Sequence, residues 1–299
     1  MLQSYEKFTD QACKPNILEN VDLFSKIILI LLAYLNTPSA LSGTVDSATE
    51  YTVFIMDKTT LSMPFTISSS EQSPRTFTNN PQSSSTQSVI EIVNSGGYFD
   101  ISGNSLFDHI NFTLSNVVSN SHGGIINANI GGSSGTLEII SCNFIGFKTS
   151  TTGGALSLSI SNNAHATLKN LLFEGCEANV AGAVFVTIAA GGQVTVSESC
   201  TFTECKVTQS NAAGGGIYAI ISGQNSKLTF KDSVTFDKCS GLTGSGIYLL
   251  MYNFGQLAIE DSCSCSFIDC DSTATGGTGT FYIEASGPNY EINLLGKMI

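Results

Sequence analysis

Short runs of alternating apolar and polar residues fill most of the chain from about residue 43 onward. Residues 51–55, 64–67 and 89–93 are examples, and Gly, Ser, Asn or Pro residues separate one run from the next. An alternation with a period of two places successive side chains on opposite sides of an extended strand. The pattern predicts an all-β chain of many short strands. Residues 68–88, which are nearly all Ser, Thr, Asn, Gln and Pro, are predicted to form a loop.

A unit of about 30 residues repeats from Gly96 onward. Each unit opens on a Gly-rich step such as Gly123-Gly124-Ile125, continues through two short apolar runs and closes on the motif Phe-x-x-Cys. Steps of 29, 34 and 31 residues separate the phenylalanines of four copies, which are Phe173, Phe202, Phe236 and Phe267. Three strands joined by turns too short for a crossover helix predict one coil of a parallel β-helix. We therefore predict a right-handed single-stranded parallel β-helix, a solenoid of about six coils stacked about 4.8 Å apart.

The predicted organisation has three parts. Residues 1–42 form a tail with an apolar or helical segment, residues 43–95 an N-terminal β region that includes the Ser-rich loop and acts as a cap, and residues 96–299 the repeats. The run from Ile27 to Leu35 is nine residues long, whereas a membrane-spanning helix needs about 20. It is typical of the apolar part of a secretory signal or membrane anchor, and equally of an apolar helix docked on the fold.

Aligning the repeats places equivalent inward side chains in columns along the predicted axis. One column is a uniform ladder of aromatic core residues: Phe112, Phe144, Phe173, Phe202, Phe236 and Phe267. A second column, three residues further on, contains Cys176, Cys205, Cys239 and Cys270. Phe147 takes the cysteine position in another coil, which indicates buried hydrophobic residues and not ligands or nucleophiles. The spacing of about 4.8 Å allows disulfides between coils, but parallel side chains favour free thiols.

The composition narrows the choice of partners. The 299 residues are 42 % hydrophobic, enough for a core, and carry a net charge of -12 without a basic patch. This balance argues against nucleic acid as a partner. The close pair Cys263 and Cys265 has no accompanying His at zinc-site spacing, so we predict no metal and no cofactor.

The Gly-Gly-Ala/Ile openings followed by Phe-x-x-Cys resemble the Gly-Gly-Ala-Ile and Phe-x-x-Asn repeats of bacterial polymorphic outer-membrane proteins. They also resemble the β-helix repeat proteins of protists in the pectin-lyase-like superfamily. The resemblance covers about residues 96–295, with Cys in place of the bacterial Asn. It implies a secreted or cell-surface solenoid used for adhesion or display.

The same superfamily contains polysaccharide lyases and hydrolases, so an enzyme is the alternative. The hydrolase motifs Asn-Thr-Asp, Gly-His-Gly and Arg-Ile-Lys do not occur in the sequence. Paired carboxylates such as Glu174 with Asp237 are predicted to face solvent separately, and Lys148 and Lys206 show no clustering with acids. We therefore predict no catalytic residues and expect a non-enzymatic scaffold for structure, adhesion or interaction. The alternative is a carbohydrate-binding or polysaccharide-degrading protein.

Two further expectations concern the surface and the end of the chain. Asn111-Phe112-Thr113 is the single N-glycosylation sequon, and Asn111 should face solvent because Phe112 faces the core. A surface carbohydrate or protein is the expected partner, membrane association through Ile27 to Leu35 is an open option, and the sequence does not indicate an oligomeric state. Residues 294–299 show no evident cap, which leaves open a chain that continues further.

Overall fold

The computed structural model describes residues 41–45, 51–55, 58–68, 74–79, 87–115, 119–120, 122–272 and 279–299. These residues form an all-β parallel solenoid of about seven turns that resembles a right-handed β-helix. The all-β prediction is thus confirmed, with about one turn more than expected. No helix long and apolar enough to cross a membrane occurs in these ranges. The predicted apolar or helical segment from Ile27 to Leu35 lies outside the described residues.

The strands have the following bounds in chain order: β1 Leu41–Val45, β2 Tyr51–Ile55, β3 Lys58–Ile67, β4 Arg75–Asn79, β5 Ser88–Ile92, β6 Phe99–Ile101, β7 Ser105–Asp108, β8 Ile110–Leu114, β9 Ser119–Asn120, β10 Ile126–Gly131, β11 Thr136–Ile140, β12 Asn143–Ile145, β13 Lys148–Thr149, β14 Leu156–Ser161, β15 His165–Lys169, β16 Leu172–Glu174, β17 Glu177–Ala178, β18 Val184–Ala189, β19 Gln193–Ser197, β20 Cys200–Thr203, β21 Lys206–Val207, β22 Ile217–Ser222, β23 Lys227–Phe230, β24 Ser233–Asp237, β25 Ser240–Gly241, β26 Ile247–Tyr252, β27 Gln256–Ile259, β28 Ser264–Ile268, β29 Asp271–Ser272, β30 Phe281–Ser286, β31 Glu291–Leu294 and β32 Lys297–Met298.

Parallel pairing between successive coils assembles these strands into three faces. The first face contains β1, β3, β6, β10, β14, β18, β22, β26 and β30. The second face contains β2, β4, β7, β11, β15, β19, β23, β27 and β31. The third face contains β5, β8, β12, β16, β20, β24, β28 and β32, together with the first half of β3. Each strand therefore pairs with its counterpart in the next coil.

A fourth ladder of two-residue strands adds to the three strands predicted for each coil. It contains β9, β13, β17, β21, β25 and β29, between the third face and the next Gly-rich opening. Two residues are too few to show an alternating pattern in the sequence. The pairing becomes evident only when neighbouring coils lie side by side.

The ladders also extend upstream of residue 96, because β1 to β5 pair within the same three faces. The prediction of a loop over residues 68–88 is wrong for part of that stretch, since β4 spans Arg75–Asn79. Phe77 of this strand is fully buried and packs at 5.4 Å from Phe65 and 5.0 Å from Phe107, measured between ring centroids. Burial of the Phe77 ring thus stabilises a strand within an otherwise polar stretch of sequence.

Glycines at the coil openings allow successive backbones to approach closely. A Cβ atom on Gly182 would lie 2.1 Å from the carbonyl oxygen of Gly215 in the next coil. Gly153 has a φ of +66°, and its Cβ would lie 2.0 Å from the Leu156 carbonyl oxygen. Only glycine fits such positions without displacing the backbone, so the Gly-rich openings serve packing between coils.

Candidate interaction surface

The six phenylalanines of the predicted column form one continuous stack on the third face. Their ring centroids lie 4.7 to 5.2 Å apart, with interplanar angles of 5° to 11°. The five from Phe112 to Phe236 are fully buried, and Phe267, near the last coil, is partly buried. This inner stack, listed in chain order, is Phe112, Phe144, Phe173, Phe202, Phe236 and Phe267. It is part of the hydrophobic core and offers no access to a ligand.

The cysteine column lies beside this inner stack and has a regular hydrogen-bonding role. Each Sγ is placed 3.4 to 3.6 Å from the carbonyl oxygen of a phenylalanine in the preceding coil. The pairs are Cys176 with Phe144, Cys205 with Phe173, Cys239 with Phe202 and Cys270 with Phe236. Cysteine at these positions is therefore a small apolar side chain that also donates a weak hydrogen bond. The sequence alignment found the column but not its acceptors.

The eight described cysteines are all free thiols. Burial raises the pKa of the Cys200 thiol to about 11 and that of Cys142 to about 12. Burial also raises the pKa of Cys205 well above its usual value. A thiol that keeps its proton at neutral pH is a poor nucleophile and a poor metal ligand. Cys142, Cys200 and Cys205 are therefore structural.

Asn111, the sequon residue, lies on the outward side of β8 and is half-buried. The Nδ2 of Asn143 in the next coil donates a hydrogen bond of 2.7 Å to the Oδ1 of Asn111. The same Nδ2 donates to the Oε1 of Gln87 at 3.0 Å. The outward position is the expected one, although the amide takes part in a short ladder of polar side chains. Modification of Asn111 stays a prediction.

The carboxylates considered for catalysis lie apart from one another. Glu174 and Asp237 occupy one outward column but are separated by Thr203 of the intervening coil. Glu204 and Asp269 lie in turns with positive φ and are exposed. Among the described residues, no group of three or more His, Cys, Asp or Glu side chains is arranged to hold a metal ion.

Charged residues of the fourth ladder form an ion-pair row across three coils. Glu177 Oε1 lies 2.9 Å from Lys148 Nζ and 3.1 Å from Lys206 Nζ. Burial alone would raise the pKa of Glu177, but hydrogen bonds from the two lysines outweigh it and lower the pKa overall. The expectation was that these lysines show no clustering with acids that would indicate a calcium-dependent lyase site, and the structure places them on either side of one carboxylate. Residues about 30 positions apart become neighbours when coils stack, which a sequence read linearly does not show.

The outward side of the first face carries little charge from β10 onward, although Asp100 lies on the preceding strand β6. Six strands of this face, β10, β14, β18, β22, β26 and β30, have outward and inward positions that alternate along each strand. Glu284 is the one side chain with a formal charge on these six strands. In contrast, Glu138 and Lys169 lie on the second face, and Glu91 and Asp237 on the third. Interface centres are typically depleted of charge in this way.

Aromatic rings occupy one outward column of this uncharged face in the C-terminal coils. We call this column the outer stripe; it consists of Phe185, Tyr218, Tyr248 and Tyr282. Successive ring centroids are 5.6, 4.8 and 5.3 Å apart, and all four residues are half-buried. Asn127 and Ser157 take the equivalent positions in the two preceding coils. The stripe is therefore confined to four coils.

Aliphatic and polar groups flank the outer stripe. Ile220 and Leu250 lie in the adjacent outward column, in register with Glu284. The hydroxyl of Tyr248 donates a hydrogen bond of 2.7 Å to the Glu284 carboxylate. Burial, followed by this hydrogen bond, raises the pKa of Tyr248, so the phenol stays neutral. The outcome is a flat, neutral, aromatic surface with one carboxylate at its end.

Sequence alignment missed the outer stripe because it compared inward positions. The sequence does contain a signal for the stripe, because an aromatic residue takes the second position of each of four first-face strands. These residues are Phe185 in β18, Tyr218 in β22, Tyr248 in β26 and Tyr282 in β30. No protein-family model matches the chain, and neither a curated protein nor a solved structure is significantly similar to it. Function therefore has to be argued from this surface itself.

Proposed function

We propose that this chain is a non-enzymatic interaction scaffold, secreted or displayed at a cell surface, which binds a protein partner through the outer stripe. The observation that carries the proposal is the combination of partly exposed aromatic rings and a single formal charge, that of Glu284, on the six first-face strands from β10 to β30. Tyrosine and phenylalanine are enriched in protein interfaces, whereas charged residues are depleted at their centres. The solenoid supplies a rigid, flat support for such a surface.

The size of the stripe indicates a weak individual contact. The four strands that carry the outer stripe are spaced about 4.8 Å apart, and each has six residues with a rise of about 3.3 Å per residue. Together they cover an area on the order of 400 Å². A stable interface usually buries about 800 Å² on each partner. One stripe therefore supports transient binding, and several copies on one surface would bind with higher avidity. Weak contacts that act in several copies suit both adhesion and display at a surface.

A carbohydrate ligand is the second candidate, favoured by the row of tyrosine hydroxyls and by the resemblance to pectin-lyase-like proteins. The ring arrangement weighs against it. Sugars bind on the faces of aromatic rings, but in the outer stripe the rings face one another at 4.8 to 5.6 Å and present their edges outward. Edge-exposed tyrosines suit side-chain packing and hydrogen bonding with a protein better.

The test compares two double variants of the full chain. Tyr218→Ser with Tyr248→Ser removes the centre of the stripe, and Lys169→Ser with Glu198→Ser removes an ion pair of 2.8 Å on the other side of the coil. Binding to immobilised extracellular proteins and to neutral and acidic polysaccharides is measured for both. We expect protein binding that the first variant loses at least tenfold and the second retains. Equal loss in both variants, or binding only to polysaccharides, would contradict the proposal.

A further inference from the structure

The corner between β27 and β28 is two residues longer than the equivalent corner in the preceding coil. Gln256 pairs with Lys227, and Phe267 pairs with Phe236, so these residues mark equivalent positions. Gln256 and Phe267 are eleven positions apart, whereas Lys227 and Phe236 are nine positions apart. The extra length forms a turn at Asp261 and Ser262, from which Cys263 leads directly into β28.

Two thiols follow this longer corner. Cys263 and Cys265 are both buried, at 1 % and 0 % exposure, and their Sγ atoms are 3.5 Å apart. Residues i and i+2 of an extended segment point to the same side and lie about 6.6 Å apart at Cα, which is within the range that a disulfide spans. Cys263 lies just before β28 and Cys265 within it, and the contact between their sulfurs places them for a bond across one intervening residue.

The described thiols have two kinds of hydrogen-bond partner. Six thiols donate to backbone carbonyl oxygens: Cys142, Cys176, Cys200, Cys205, Cys239 and Cys270. Cys263 and Cys265 contact each other at 3.5 Å, and Cys205, Cys239 and Cys270 also interact with neighbouring thiols of their column. A hydrogen bond from Cys265 lowers the pKa of Cys263, whereas that of Cys265 is raised by the same bond. The first proton therefore leaves from Cys263, and its thiolate is the attacking group in an exchange reaction.

Access to the pair is controlled by the final coil. The backbone N–H groups of Lys297 and Ile299 donate to the carbonyl oxygens of Cys263 and Cys265 at 2.8 and 2.9 Å. Strand β32 has two residues, Lys297 and Met298, and both are exposed. So short an element with few buried contacts separates from its neighbour at low free-energy cost. Local opening there exposes the dithiol without unfolding the solenoid.

We propose that Cys263 and Cys265 are a redox modification site, which low-molecular-weight disulfides convert to an intramolecular disulfide while the carbonyl-bonded cysteines stay reduced. The Cys263 thiolate attacks one sulfur of the reagent and releases one thiolate, giving a mixed disulfide. Cys265 then loses its proton and attacks the Cys263 sulfur, which releases the second thiolate. The protein loses two electrons and two protons, and the reagent is reduced to two thiols. This inference is independent of the proposed interaction surface.

The experiment treats the native full chain with oxidised glutathione, blocks the remaining thiols with an alkylating reagent and digests with a protease that cuts after acidic residues. Cleavage after Asp261 and Asp269 releases residues 262–269, which contain these two cysteines and no other. We expect this peptide to escape alkylation, to be lighter than its reduced form by two hydrogens, and to regain both thiols in dithiothreitol. A peptide alkylated at both cysteines, under conditions where the fold persists, would overturn the proposal.

Two variants complete the design. Cys263→Ser should abolish the disulfide and leave Cys265 as a glutathione adduct or an alkylated thiol. Cys200→Val is the matched control, since Val234 takes the equivalent position in the next coil, and it should form the 263–265 disulfide at the wild-type rate. A disulfide that forms with equal yield between Cys205 and Cys239 would show that the pair has no special reactivity, which also contradicts the proposal.

Discussion

Two stacks of aromatic rings run along this solenoid, one inside the core and one on its surface. Ring centroids are 4.7 to 5.2 Å apart in the inner stack and 4.8 to 5.6 Å apart in the outer stripe. Both spacings follow from the separation of about 4.8 Å between paired strands. Stacking is thus imposed by the backbone, and burial decides whether a ring stabilises the fold or stays available to a partner.

The two stacks also differ in how far they extend. The inner column has phenylalanine in six coils, from Phe112 to Phe267. The outer column changes from Asn127 and Ser157 to aromatic residues at Phe185. A position that packs against its copies in every coil needs the same shape throughout. Outward columns vary in residue type, as in Glu174, Thr203 and Asp237, so a run of four aromatic residues in one of them stands out and carries the functional proposal.

The largest expected effect tests this contrast directly. Phe202→Ala removes a fully buried ring from the middle of the inner stack, and we expect a loss of about 3–5 kcal/mol in the free energy of unfolding. Tyr248→Ala removes a ring from the outer stripe, and we expect it to lower the free energy of unfolding by less than about 1.5 kcal/mol. Urea denaturation followed by circular dichroism measures both. Equal losses would remove the distinction between the two stacks.

Buried thiols beside the inner stack provide the next test, because burial raises the pKa values of Cys200 and Cys142. In the unfolded chain a thiol ionises near pH 8.5, whereas Cys200 and Cys142 in the fold do so at about 11 and 12. Since the folded-state pKa is raised, the stabilisation is complete below about pH 8.5 and is lost as pH rises toward 11 to 12. We expect a decline of up to about 1.4 kcal/mol per pH unit for each thiol.

The control for this alkaline decline is Cys200→Val. Denaturation midpoints between pH 8 and 11 should fall less steeply in this variant than in wild type, by the contribution of one thiol. Parallel curves for the two proteins would show that burial of Cys200 does not couple to the unfolding equilibrium.

The smallest effect concerns the polar end of the outer stripe. Tyr248→Phe removes the hydroxyl that donates to Glu284, and Glu284→Gln removes the charge that accepts it. Because both groups lie at the surface, we expect a coupling energy below about 1 kcal/mol in a double-mutant cycle. A coupling above about 2 kcal/mol would mean that the stripe is a stability element like the inner stack.

Much of this molecule was readable from the sequence. The period of two along each run, the Gly-rich openings and the spacing of Phe173, Phe202 and Phe236 predicted parallel coils. These features predict the coils because strand alternation and coil length are local properties that recur in every repeat. The inward phenylalanine column followed from the same register, since a slip of one residue would expose it.

Only the tertiary structure decided which outward residues become neighbours. The ion pairs of Glu177, the acceptors of the cysteine column and the outer stripe all join residues about 30 positions apart. Such contacts depend on the exact number of residues in each corner, which varies from coil to coil. The two extra residues before Cys263 show this best. A lengthened corner is an irregularity in the repeat. The sequence places Cys263 and Cys265 two positions apart, and the fold shows that both are buried with their sulfurs in contact.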